Sequence, residues 1–167
     1  MDRYAGFSEF VQARERALLR TAFLLTADLQ LAEDLLQSAL AKAALHWPRI
    51  RSGQPEAYIR SALYRESVSS WRHRRGVTEV PTASMPEHAG VSPEDQIDLR
   101  FAVIAALRRL APRQRAVLVL RFYEDLSEGQ VAEALSSSVG TVKSQTHDAL
   151  RRLRSMAATA CSRAGSW

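Results

Sequence analysis

The stretch GVTEVPTASMPEHAGVSP, residues 76–93, constrains the fold most strongly, because it interrupts a chain that is otherwise patterned as helix. It holds three of the six prolines in the sequence and shows no sustained apolar period. Proline lacks the backbone N–H group that helices and sheets use, so a segment of this composition is typical of a flexible linker. We therefore predict two small domains, residues 1–76 and 94–167, joined by a linker over 77–93.

On both sides of the linker, apolar residues recur at steps of three and four, which is the spacing of one face of an α-helix. No segment shows the alternating pattern of a strand, so we predict an all-α fold. Ser8 is expected to cap the first helix and Pro48 to end the second, since serine and proline favour those positions. The predicted helices span 8–26, 31–47, 55–75, 94–110, 113–123, 128–135 and 139–157, with Ser92 as the N-cap of the fourth.

The composition excludes several classes of protein. Hydrophobic residues make up 46% and charged residues 25% of the chain, as in ordinary globular proteins. No run approaches the roughly 18 apolar residues of a membrane span, and the N-terminal MDRYAGFSEF lacks a signal-peptide core. We therefore expect a cytoplasmic protein without membrane insertion. Cys161 is the only cysteine and the four histidines lie 15 or more residues apart, so we expect no intrachain disulfide, no metal site and no cofactor.

The charges are divided unevenly along the chain. Residues 1–76 carry 12 Arg or Lys against 8 acids, and residues 100–167 carry 11 against 5. Between them, residues 77–99 carry 5 acids and no base. Two basic domains on an acidic tether favour a polyanionic partner, with nucleic acid first among the candidates. Charge alone also fits arginines that only solvate helix surfaces.

Residues 126–138 have the pattern of a short helix followed by a tight turn. Ser127 and Gln130 have the spacing of a capping box, in which each side chain bonds the backbone N–H of the other. Ser138 can cap the helix that follows, and small polar residues suit a turn of this kind. The residues predicted to face inward are Val131, Ala132 and Leu135, and those predicted to form the turn are Ser136 and Ser137.

The last helix is predicted to have one buried and one polar face. Its inward set is Val139, Val142, Thr146, Ala149, Leu150 and Leu153, and the opposite stripe is Lys143, Ser144, His147, Asp148 and Arg151. Five polar side chains on one stripe can enter a major groove together, so the pattern indicates the recognition helix of a helix-turn-helix. An amphipathic hairpin whose outer face only meets water would share the polar stripe.

These motifs resemble a known family. Residues 110–154, LAPRQRAVLVLRFYEDLSEGQVAEALSSSVGTVKSQTHDALRRLR, resemble region four of the extracytoplasmic-function (ECF) sigma factors, the promoter-reading subunits of bacterial RNA polymerase. AEDLLQSAL, 32–40, and YIRSALYRESVSSWRHRRG, 58–76, resemble two helices of region two. The resemblance covers nearly the whole chain and implies core RNA polymerase and promoter DNA as partners. Many relatives also have an anti-sigma factor, which is a further candidate partner.

The resemblance also implies roles for individual residues. In the family, the motif at 32–40 docks on the clamp helices of the largest polymerase subunit; Asp34 and Gln37 match that motif, and Ala41 shares their helix face. The following loop and helix, here 47–54 and 58–76, melt and read the minus-10 element. DNA contacts are expected there from Arg49, Arg51, Arg65, Arg72, Arg74 and Arg75. The minus-35 element is expected to be read by Lys143, Ser144, His147, Asp148 and Arg151, with Arg152 and Arg154 on phosphates.

Several positions depart from the family pattern. Arg65 replaces a common Asn and Ser69 a common Asp, so the base preference of relatives at the minus-10 element is not assigned to this chain. Ser38 and Leu40 replace an acid and a Phe in the docking motif, which is expected to weaken docking. Ser136 replaces a Gly at the turn, which costs strain if that position has positive φ. Asp148 stands where many relatives have Arg, and we expect it to accept a hydrogen bond from a cytosine amino group, because an acid repels phosphates.

Two other functions remain open on the sequence alone. LSEGQVAEALSSSVGTVKSQ also resembles the C-terminal module of LuxR-type regulators, although residues 1–76 show neither the strand pattern nor the phosphoacceptor setting of their upstream domains. A helical adaptor that binds only protein would use its arginines to solvate helix faces. We expect no enzyme, since no nucleophile with its base, no metal cluster and no phosphate loop is evident.

Overall fold

The computed structural model describes residues 2–73 and 93–164, and within these ranges the chain is helical with no strand. This confirms the predicted all-α fold. The chain divides into two compact units, Met1–Glu87 and His88–Trp167. The helices are α1 Phe7–Thr26, α2 Leu29–Ile50, α3 Pro55–His73, α4 Pro93–Arg108, α5 Pro112–Leu118, α6 Glu128–Ala134 and α7 Val139–Ala164, with a π-helical turn Val119–Tyr123 directly after α5. The predicted linker and the Ser92 cap lie outside the described residues.

Two predicted helix ends in the first unit are wrong. Ser8 does not cap α1; the cap is Gly6 at φ 79°, and the helix begins at Phe7. Phe7 lies against Trp47 with ring centroids 5.1 Å apart, so packing extends the helix upstream of the serine. Pro48 does not end α2, which continues to Ile50. Proline removes only its own N–H bond here, and the Arg51 N–H still donates to the Trp47 carbonyl at 2.9 Å.

The first unit is a three-helix bundle in which α1, α2 and α3 pack against one another. Its core includes Leu18, Phe23, Ile59 and Leu63, each at most 2% exposed. The apolar face of α2 is buried at Ala32, Leu35, Leu36, Ala39, Ala43 and Trp47, while Leu40 is half-buried.

A network of polar side chains ties α1 to the start of α3. Glu56 accepts from Arg60 one turn later at 2.9 Å and pairs with Arg14 of α1 at 3.1 Å. Arg60 in turn donates to the hydroxyl of buried Thr21 on α1 at 3.0 Å. These contacts fix the direction in which α3 leaves the loop at 51–54.

In the second unit, α7 packs against α5 and α6. The core contains Val117, Leu120, Val131, Val142 and Ala149, each at most 1% exposed. One predicted inward residue is wrong: Val139 is 42% exposed, because it is the first residue of α7 and no preceding turn of helix covers it. The helix predicted over 113–123 changes type at Val119, where the Glu124 N–H reaches back five residues to the Val119 carbonyl at 3.0 Å.

None of the helices in the described part of the chain combines the length and the hydropathy that crossing a membrane requires. Residues 2–73 and 93–164 also bring no three His, Cys, Asp or Glu side chains together in the way a metal site needs.

Candidate nucleic-acid interface

The helix that precedes the turn begins with the predicted capping box. The Gln130 N–H donates to Ser127 Oγ at 3.2 Å, and the Ser127 N–H donates to Gln130 Oε1 at 2.8 Å. Two backbone donors that a helix start leaves unsatisfied are bonded in this way. The sequence therefore predicted both the first residue of α6 and the contact that fixes it.

The turn between α6 and α7 closes on residues 136–138, as predicted. The Ser136 N–H donates to Glu133 O at 3.1 Å and the Ser137 N–H donates to Ala132 O at 2.8 Å, which is the bonding of a Schellman motif. Ser136 occupies the left-handed position of that motif at φ 50°, where glycine is the usual residue. Ser138 Oγ then accepts from the Thr141 N–H at 3.1 Å and caps α7.

The predicted recognition stripe lies on one continuous helix, and most of it is open to solvent. Lys143, Ser144, His147 and Arg151 are exposed, while the Asp148 side chain is 38% exposed. Both basic residues of the stripe have acidic partners within the domain. Lys143 Nζ lies 3.7 Å from Glu128 Oε2 on α6, and Arg151 Nη2 lies 3.0 Å from Asp148 Oδ1.

Further arginines extend the basic surface along α7. Arg152 and Arg154 are exposed and follow the stripe within the next turn of the helix. Arg115 is also basic but does not belong to this surface, because it is buried and donates to the Leu110 carbonyl at 3.2 Å. Burial, with a smaller repulsion from Arg108, lowers the pKa of Arg115 to about 10, which leaves the guanidinium charged at neutral pH.

In the first unit, the residues predicted to meet polymerase lie together. Asp34, Gln37 and Ala41 are all exposed on α2, beside the buried Leu35 and Leu36. Their spacing of three and four residues places them on one helix face.

Ser38 does not belong to that exposed face. Its hydroxyl donates to Glu66 Oε2 on α3 at 2.6 Å, and Lys42 Nζ binds Glu66 Oε1, also at 2.6 Å. This contact between two helices was missed from the sequence, because nothing in the local pattern pairs residues that lie 28 positions apart.

The predicted minus-10 residues are only partly brought together. Arg49 and Arg51 are exposed at the end of α2, and Arg65 is exposed on α3. Arg74, Arg75 and the side chain of Arg72 lie outside the described residues. Trp47, the first residue of the segment predicted as a base-capturing loop, is 4% exposed and its Nε1 donates to the Ala5 carbonyl at 2.8 Å. Trp47 is therefore a core residue, and the loop is confined to residues 51–54.

A shallow groove between α2 and α3 contains Tyr58, which the sequence did not indicate as a site residue. Tyr58 also contacts His46 of α2, with ring centroids 5.9 Å apart and Tyr58 Oη 3.2 Å from His46 Nδ1. Lys42, Arg65 and Glu66 line the same groove. The spacing of Tyr58 and Arg65, two turns apart on α3, was the available signal that both line one groove.

The family models match both units. The model for sigma-70 region 2 matches residues 10–77, and the model for sigma-70 region 4 matches residues 100–153. A region 2 match in the first unit does not favour the LuxR-type alternative, which was based on the second unit alone.

Full-length relatives and solved structures agree with these models. The chain is 42% identical to the RNA polymerase sigma-E factor of Streptomyces coelicolor, over 92% of this chain and 87% of that protein. It is 32% identical to the ECF RNA polymerase sigma factor SigL of Mycobacterium tuberculosis, over 82% and 80% of the two chains. It superposes on the sigma factor RpoE of Bartonella quintana, solved with the anti-sigma factor NepR, at a TM-score of 0.66, 25% identity and coverage of 89% and 94%. The chain belongs to the ECF group of the sigma-70 family of RNA polymerase sigma factors.

Proposed function

We propose that this chain directs core RNA polymerase to promoters by a grip at two places, in which the first unit docks on polymerase and opens the minus-10 element while the second unit binds the minus-35 duplex. The observation that carries the proposal is the 42% identity to an RNA polymerase sigma factor over 92% of the chain, together with region 2 and region 4 matches in that order. The domains at 1–76 and 94–167 would divide the work, and the linker at 77–93 would set their reach.

The minus-35 element would be bound by the stripe of Lys143, Ser144, His147, Asp148 and Arg151. The exposure of four of these side chains on one face of α7 supports the assignment. Each good base contact is worth about 1 to 3 kcal/mol of discrimination. Arg152 and Arg154 would bind phosphates and contribute an affinity that is independent of sequence and weakens with salt.

The minus-10 element would be opened by the loop at 51–54 and the exposed part of α3. Arg49 lies just before that loop and Arg51 is its first residue, while Arg65 and Tyr58 both line the groove between α2 and α3. Unstacked bases bind to aromatic faces and to arginine, so this groove has the chemistry to hold separated DNA. Arg72, Arg74 and Arg75 would bind the phosphates of the DNA backbone.

Polymerase docking would use Asp34, Gln37 and Ala41. Their exposure on α2, beside a helix face that is otherwise buried, supports a contact with a partner helix. Like the relative solved with NepR, this chain would also have an anti-sigma partner. The site of action would be the cytoplasm, where bacterial polymerase works, and the chain would act by binding rather than by catalysing a reaction.

Reconstituted transcription tests the proposal. Core polymerase is combined with the purified chain on genomic templates, and the 5′ ends of the transcripts are mapped. We expect starts that appear only when both components are present and that share two upstream elements. The proposal would be contradicted if the chain changed transcription only when the polymerase already carried another sigma factor, because a regulator cannot replace the sigma subunit.

A further inference from the structure

We propose that Asp148 is a positioning residue, which reads no base itself but holds the Arg151 guanidinium to read a guanine in the minus-35 element. The inference rests on the proposed function of α7 as the recognition helix. It starts from one contact: Arg151 Nη2 lies 3.0 Å from Asp148 Oδ1, at hydrogen-bond distance.

The helical spacing makes this contact a favourable one. The two residues are three positions apart, so their side chains are neighbours on the surface of α7. Asp148 lies on the N-terminal side of Arg151, which is the orientation that the helix dipole favours for an acidic and a basic residue. The contact therefore follows from the local geometry of α7 and does not depend on the rest of the domain.

The pair leaves Arg151 able to bind a base. A guanidinium has five N–H donors in a fixed plane, and the contact with Asp148 uses donors on one nitrogen. The remaining donors suit the O6 and N7 acceptors of guanine, the commonest specific contact of arginine in the major groove. The Arg151 side chain is 71% exposed, so these donors face solvent in the free protein.

The pair also accounts for an acid on a surface that meets phosphates. DNA phosphates repel an unpaired carboxylate. They repel it less when the positive charge of a neighbouring arginine offsets its negative charge. An exposed ion pair contributes little in water, but the attraction grows when the groove excludes water from it. The restraint on Arg151 thus strengthens when DNA is bound, which is when orientation matters for base discrimination.

A direct contact of Asp148 with a cytosine makes a different prediction. An acid that reads its own base controls a base pair of its own, and removing Arg151 leaves that preference in place. An acid that acts through Arg151 controls the base pair that Arg151 reads. Comparing which base pair each variant affects therefore separates the two roles.

The experiment selects bound DNA with the full chain and core polymerase. A duplex pool randomised at both promoter elements is incubated with holoenzymes carrying the wild-type chain, D148A, D148N, D148E, R151A or the double variant D148A/R151A, and bound sequences are counted. We expect D148A and R151A each to reduce the preference for guanine at the same base pair by about tenfold. The double variant should lose no more than R151A, while D148E, which keeps the carboxylate, should retain most of the preference.

R154A is the matched control, because Arg154 is exposed on the same helix but lies six positions after Asp148, outside the three- and four-residue spacing at which helix side chains meet. It should weaken binding to all sequences alike. The inference is overturned if D148A relaxes a base pair that R151A leaves intact, or if D148A leaves every preference unchanged. If the wild-type holoenzyme enriches no minus-35 sequence at all, the assignment of α7 as recognition helix fails, and the inference fails with it.

Discussion

The hydroxyl of Ser38 on α2 donates to a carboxylate oxygen of Glu66 on α3 across 2.6 Å, and Lys42 binds the other oxygen at the same distance. The Glu66 side chain is only 18% exposed, so the contact joins the two helices in a largely covered position. The family motif that residues 32–40 resemble has an acid at the position of Ser38. In this chain Glu66 on α3 supplies the carboxylate of the contact. A second carboxylate at position 38 would face it.

We therefore expect S38D to destabilise the first unit by about 1 to 3 kcal/mol, because two like charges near 4 Å repel by roughly that amount at partly covered sites. The free energy of unfolding in urea measures the effect. In an E66Q background the same substitution should cost less, and the double-mutant cycle gives the difference. Equal costs in both backgrounds would show that Glu66 does not determine the residue at 38.

S136G is expected to stabilise the second unit by about 0.5 to 1 kcal/mol. A left-handed residue other than glycine costs roughly 1 to 2 kcal/mol, and Ser136 has φ 50°. Glycine also loses more chain entropy on folding, which offsets part of the gain. Thermal unfolding measures the change. S137G is the control, since Ser137 does not have positive φ, and it should lower stability by about 0.5 kcal/mol.

Substitutions of Trp47 should affect stability, whereas substitutions of the nearby Arg49 and Arg51 should affect promoter opening. W47A is expected to cost about 3 to 5 kcal/mol, as for other buried large side chains, because it removes contacts with Phe7 and Phe10 and the bond to the Ala5 carbonyl. R49A and R51A are exposed changes and should alter stability by less than about 0.5 kcal/mol. They should instead slow promoter opening. Equal unfolding free energies for W47A and the wild type would contradict the packing.

The phosphate role of Arg152 and Arg154 predicts a change in salt dependence. Each lost phosphate contact should reduce the slope of log affinity against log salt by about 0.9. R152A and R154A, titrated as holoenzymes on promoter DNA over a range of salt, should show this reduction without a change in the preferred sequence. A slope equal to that of the wild type would show that these residues do not contact phosphates.

The features that the sequence predicted well are those determined by residues within four positions of each other. The capping box of Ser127 and Gln130 and the cap at Ser138 needed only the spacing of polar side chains. The strain at Ser136 followed from a serine at a turn where glycine is usual. Backbone bonding is local in a helix, so these signals survive without knowledge of the packing.

The features that the sequence did not predict depend on contacts between helices or on the surroundings of a helix end. Glu66 reaches Ser38 across 28 residues, and no periodicity encodes that pairing. Val139 has an inward spacing but begins its helix, so nothing covers it. Pro48 lies so near the end of α2 that the loss of one N–H bond does not stop the helix. The roles of the recognition and docking residues remain predictions.

Permanganate footprinting on a promoter mapped by the transcription experiment tests the grip at two places most directly, because it reports unstacked thymines at the minus-10 element. A parallel DNase footprint reports protection at the minus-35 element. We predict both signals with core polymerase and the chain together, and neither with the chain alone. Protection at the minus-35 element by the chain alone, with no reactive thymines when polymerase is added, would contradict the account.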